Sequence, residues 1–127
     1  MERYYASLRV RLRTERMGDD LCVTVCGGDR PHIGSVAVAE PRESLRGGGR
    51  SATVSTVNYP GHKDDAVANA VAHAVASRLN CRTVVLCGLH YDGADEALFA
   101  AVRELTEQMI EDVVRGETQA GAEDGIH

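Results

Sequence analysis

The spacing of apolar residues changes once along this chain, and that change limits the folds open to it. Up to about residue 59 the apolar positions alternate. Leu8, Val10 and Leu12 interleave with Arg9, Arg11 and Arg13, and Leu21, Val23 and Val25 interleave with Cys22, Thr24 and Cys26. A period of two belongs to strands with one buried face. After Pro60-Gly61 the period becomes about four, first at Val67, Val71, Val75 and Leu79, then at Leu98, Val102, Leu105, Met109 and Val113. Each set is the apolar stripe of a helix. Strands first and helices later predict an α+β domain.

The punctuation divides these halves further. Met17-Gly18-Asp19-Asp20 reads as a turn, and Gly27-Gly28-Asp29-Arg30-Pro31 ends the second strand. A third strand is predicted over 33–39 and a fourth over 52–59, separated by a mobile loop at 41–49 that contains Gly47-Gly48-Gly49. Such short connections favour a four-stranded antiparallel meander, followed by helix, strand and helix. In the first helix Ala70 and Ala74 stand beside the valines, and Asn80 is placed to cap its end in a left-handed conformation. Thr83-Val84-Val85-Leu86-Cys87 lacks polar alternation, which predicts a central strand covered on both faces. The second helix is predicted over about 95–114, with Asp95 and Glu96 at the favourable end of its dipole. The polar, Gly-rich residues 116–127 read as a disordered acidic tail, leaving 1–115 as one domain.

Composition excludes several classes of function. The chain has 127 residues and 13.6 kDa, enough for one domain with a real core. It is net acidic at −5 and has four tyrosines, one phenylalanine and no tryptophan. Nucleic acid requires a basic face and stacking platforms, so it is not expected as a partner. No apolar run approaches the roughly 20 residues that span a bilayer, and the start Met1-Glu2-Arg3-Tyr4-Tyr5 resembles no export signal. No membrane association and a cytoplasmic location are the expectation. Cys22, Cys26, Cys81 and Cys87 form no C-x-x-C pair and read as reduced thiols.

Three histidines lie beside glycines at the ends of predicted elements: His32, His62 and His90. One use of them is a metal site with Asp92 behind it, although no close ligand pair sits on one element. Taken singly, each histidine more simply closes a turn through hydrogen bonds. Another use is anion binding. Gly61-His62-Lys63 opens the first helix, where free N–H groups and the dipole attract phosphate. Against this, Asp64-Asp65 follows directly, and an ordinary capped helix with a solvated lysine is the equally simple reading. The Gly27-Gly28 pair would permit close backbone approach to the same ligand. Neither a P-loop nor G-x-G-x-x-G is present, and no catalytic serine or cysteine setting is visible. His73 reads as solvated, opposite the valine stripe.

Gly27-Gly28-Asp29-Arg30-Pro31-His32-Ile33-Gly34, Pro60-Gly61-His62-Lys63 and Gly88-Leu89-His90-Tyr91-Asp92, in that order, resemble the small LpdD-like proteins that accompany UbiD-type decarboxylases such as gallate decarboxylase. The resemblance spans about 8–114. It implies a dimeric fold like that of the eukaryotic proteasome assembly chaperones. It also implies a non-enzymatic role, binding reduced prenylated FMN as cargo and delivering it to a UbiD-type decarboxylase. On that reading the cofactor site comprises Gly27, Gly28, His32, Gly61, His62, Lys63, His90 and Tyr91, with no metal. Tyr59 and Tyr91 are the aromatics near it. The tail and the Gly47-Gly48-Gly49 loop have no counterpart in the resemblance. Two other functions remain open at this point: a non-catalytic subunit or assembly factor that binds no flavin, and a small metalloenzyme using His32, His62 and His90. A sheet of small residues with only two helices to cover it also predicts a symmetric homodimer.

Overall fold

A computed structural model describes residues 1–59 and 65–125, with side-chain surroundings through residue 120. The strands are β1 (Glu2–Tyr5), β2 (Val10–Met17), β3 (Asp20–Gly28), β4 (Ser35–Glu43), β5 (Arg50–Asn58) and β6 (Thr83–His90). The helices are α1 (Asp65–Leu79) and α2 (Glu96–Gly125). The α+β class stands, and no helix among the described residues is long and apolar enough to cross a membrane.

The predicted meander is interrupted. The sheet order is β1-β2-β3-β6-β4-β5. β6 enters between β3 and β4, parallel to the first and antiparallel to the second. Its unbroken apolar sequence suits this central place. The cause of the split is the connection over 29–34, which steps across β6 instead of turning back on β3. β1 is an addition to the pattern: four mostly exposed residues that extend the β2 edge. β4 also runs on through Pro41 to Glu43. Proline is tolerated because the pairing of β4 with β6 stops at Ala39, so Pro41 has a ladder on one side only. The loop predicted at 41–49 shrinks to a hairpin tip, with Gly47 and Gly48 at positive φ.

Both helices cover one face of the sheet. That face holds Val10, Leu12, Val23, Val25, Ala37, Ala39 and Val85, all 0% exposed. α1 buries Ala68, Val71, Ala72, Val75 and Ala76. The valine stripe is as predicted, but the flanking alanines are 68, 72 and 76, while Ala70 is exposed. Asn80 ends α1 at φ 53, the expected left-handed cap. His73 is exposed as predicted. α2 buries Leu105, Met109 and Val113. It does not stop near residue 114 but continues through Gly116, because tertiary contacts hold it there. Tyr5 Oη donates to Asp112 at 2.6 Å, and Glu117, 4% exposed, accepts from Thr14 Oγ1 at 2.6 Å and Arg16 Nε at 2.9 Å. These contacts override the weak helix propensity of a glycine.

Among the described residues, the other face carries no helix. It presents Arg11, Arg13 and Glu15 on β2, Cys22, Thr24 and Cys26 on β3, Val84 and Leu86 on β6, Val36 and Val38 on β4, and Val57 on β5. The valines, the leucine and the two cysteines are half-buried or exposed.

Candidate functional site

The site is built where the parallel strands β3 and β6 end together, with Gly28 level with His90. Residues 29–34 are fastened across that end at two points. Asp29 N donates to the His90 carbonyl at 2.6 Å, and Gly34 N to the Cys87 carbonyl at 2.9 Å. Between them the loop lies directly on Gly88, where a Cβ would overlap the His32 carbonyl. Glycine is therefore required at 88 for the loop to lie flat on the strand. The loop rises on the helix-free side, since Gly88 shares its face with Leu86 and Val84.

This fastening brings two of the predicted histidines together. The His32 and His90 rings meet edge to face, 6.5 Å between centroids. His32 Nδ1 lies 2.9 Å from the Arg30 carbonyl, and His90 Nε2 lies 3.0 Å from Asp92 Oδ1. Because a carbonyl and a carboxylate only accept, each of those nitrogens carries a proton. The pair is half-buried beside the apolar floor formed by Leu86 and Val36.

Gly27 and Gly28 hold this region together from within. Gly28 has φ +81, and a Cβ there would overlap the His90 carbonyl; at Gly27 it would overlap the Arg9 carbonyl. The space beside both glycines is thus filled by the protein's own backbone. Tyr91 is similarly engaged: its hydroxyl donates to the Leu8 carbonyl at 2.7 Å, and burial pushes its pKa up to about 12. Tyr59, 57% exposed, donates its N–H to the Gly34 carbonyl at 2.9 Å and so stands beside the loop. Gly61, His62 and Lys63 lie outside the described residues.

Asp29 organises the site and was not among the predicted residues. One carboxylate oxygen accepts from Arg9 at 2.7 Å and the other from the Asp92 N–H at 2.7 Å. The β1–β2 turn, the end of β3 and the exit from β6 are joined through it. The available signal was an acid directly after the Gly-Gly strand end. The Asp92 N–H first, then the Arg9 guanidinium, hold the Asp29 carboxyl below its usual range. A lowered folded-state pKa stabilises above the unfolded value, and that contribution disappears as pH falls through the folded value. Asp29→Asn is therefore expected to lower the urea midpoint at pH 7, with the difference from wild type closing by about pH 2. Urea titrations across that range check it; a pH-independent difference would show that the charge is irrelevant.

Among the described residues no group of three or more His, Cys, Asp and Glu is arranged to hold a metal ion. A second concavity, about 480 Å³, lies between the helices and is lined by Val67, Ala70, Phe99, Val102 and Ile110, with Arg103 and Glu107 also lining it.

Comparison with known proteins bears on the whole of this region. A family model described as the prenylated flavin chaperone LpdD-like domain matches residues 5–116. Protein LpdD of Lactiplantibacillus plantarum is 25% identical over 103 residues, which cover 77% of this chain and 69% of that protein. The family match takes in every strand from β2 to β6, both site loops and α1.

Proposed function

Since the chain belongs to the prenylated flavin chaperone LpdD-like family, we propose that it binds reduced prenylated FMN as noncovalent cargo and passes it to a UbiD-type decarboxylase that lacks its cofactor. The observation that carries this reading is the loop over 29–34, which sets His32 and His90 against each other at the edge of an apolar floor. A flavin has a flat apolar ring and a polar edge. Leu86 and Val36 supply the floor, and the two imidazoles supply polar ring edges beside it. Gly27, Gly28 and Tyr91 shape the loop from behind. The phosphate is assigned to Gly61, His62 and Lys63, at the approach to α1, where the helix dipole and a lysine together offset the net acidic charge. Support for that assignment is the bond from Tyr59 to Gly34, which starts this segment from beside the His32 loop.

Anaerobic titration with reduced prenylated FMN tests the binding, and transfer to an apo decarboxylase tests the delivery. Lys63→Glu is expected to weaken binding by about 1–3 kcal/mol, on the order of ten- to a hundredfold in Kd, and His32→Ala with His90→Ala to do at least as much. Wild type that neither retains the cofactor nor raises decarboxylation would end the flavin reading. It would favour the assembly-factor reading instead, in which the apolar sheet surface binds the partner protein without flavin. Tight binding unaffected by these substitutions would leave the function and remove the site.

A further inference from the structure

We propose that the groove between α1 and α2 is where the acceptor decarboxylase docks, by laying an amphipathic helix of its own against Phe99, with an acid facing Arg103 and a base facing Glu107. This rests on the function proposed above and adds the surface of contact. The groove holds about 480 Å³. Its walls are Ala66, Val67 and Ala70 on α1 and Phe99, Val102 and Ile110 on α2. Phe99 is 49% exposed, and Ala66 and Ala70 are exposed as well. A small-molecule pocket encloses roughly 70–90% of its ligand. This trough lies open to solvent along its walls and suits the surface of another protein.

The sequence of α1 points to a covered helix. From Ala66 to Ser77 it has no Asp, Glu, Lys or Arg, whereas a helix whose outer side meets only water carries charge there. Alanines at 66 and 70 let a third helix approach to an axis separation of about 8–10 Å. On α2 the wall from Phe99 to Ile110 is about 16 Å long, or three turns. That is the span over which apolar residues at i, i+3 or i+4, and i+7 of a docked helix engage a groove. Charge specifies the occupant further. Arg103 and Glu107 line the groove one turn apart, and among the described residues neither enters an ion pair. Arg before Glu is the weaker order for pairing within one helix, so both charges are available to the opposite pattern on a partner. The position suits a hand-over of cargo. α1 starts beside the end of β5, where Thr56 Oγ1 donates to Asn69 Oδ1, and α2 follows the exit from β6. The groove therefore opens at the same end of the sheet as His32 and His90, on the opposite side.

The test is calorimetric titration of the full chain into the apo form of the decarboxylase used in the transfer assay, with no cofactor present. Wild type should form a complex. Phe99→Asp and, independently, Ala70→Glu on the facing wall should weaken it by about tenfold or more, with unchanged far-UV circular dichroism. Arg103→Glu should weaken it as well. Val38→Glu, on the helix-free face, should leave it intact. Anaerobic titration of the same variants alone should show wild-type retention of reduced prenylated FMN. A complex formed through the groove by a chain that retains no cofactor would uphold the docking site and end the flavin reading. Retention of the cofactor with a complex indifferent to Phe99→Asp and Ala70→Glu would do the reverse. Absence of any complex with wild type overturns the docking proposal. So does a complex broken by Val38→Glu and not by Phe99→Asp, which would move the contact to the sheet. A fall in the mass of the chain alone on Phe99→Asp also overturns it, because the groove would then join copies of this chain.

Discussion

Gly88→Ala is expected to destabilise the protein by about 3 kcal/mol, more than a single methyl group commonly does in a core. The added Cβ meets the His32 carbonyl oxygen and carbon, which are backbone and cannot rotate away. Either β6 shifts, disturbing its ladders to β3 and β4, or the loop lifts and strains the Asp29–His90 and Gly34–Cys87 bonds. Each such bond contributes about 1 kcal/mol. A fall in Tm on the order of 10 °C follows for a domain of this size. Gly49→Ala is the control, because a Cβ there meets nothing and its φ is ordinary. Thermal and urea unfolding of both variants checks the prediction. Equal stability of the two would mean that the loop does not lie on Gly88, and the paired histidines would lose their physical basis.

Met109→Ala is the second large effect. Met109 is 0% exposed and is among the largest fully buried side chains. It sits in α2 between Leu105 and Val113, within the buried core cluster. Removing its three terminal heavy atoms leaves a cavity, and comparable truncations cost about 2–5 kcal/mol. Phe99→Ala, on the same helix but half-exposed beside the groove, is expected to cost about 1 kcal/mol or less. Urea midpoints at constant m-value measure both. Similar losses at the two positions would mean that the amino-terminal half of α2 is packed as tightly as its middle.

The stripe from Leu98 to Val113 was legible because helical period and burial coincide in its later turns. Leu105, Met109 and Val113 are buried. Leu98 and Val102 are half-buried, and Val102 borders the groove. The split of the meander was not legible. Alternation tells which face of a strand is buried but says nothing about which neighbour it pairs with, and the 29–34 segment reads equally well as a turn or a bridge. The extension of α2 past Gly116 was hidden for a different reason. It depends on Thr14 and Arg16 reaching Glu117, a pairing across some hundred residues that no local pattern encodes. At the site, His32 and His90 were visible as polar residues at element ends. Asp29 was not singled out, because an acid beside glycines reads first as turn chemistry. Gly27 and Gly28 were read as room for a ligand, whereas the chain itself fills that room.

The position of β6 has a consequence for how the protein is made. The first five strands emerge from synthesis as two separate antiparallel pieces, β1-β2-β3 and β4-β5, each closed by short hairpins. Until Thr83–His90 is available, β3 and β4 each offer a bare row of N–H and C=O groups, the kind of edge that pairs with other chains. One late strand then closes both edges at once, and its parallel match to β3 joins residues some sixty positions apart. Contacts of that range slow folding and prolong the exposure of intermediates. A ribosome-bound chain whose β6 is still held in the exit tunnel should therefore aggregate more readily than one from which β6 has emerged.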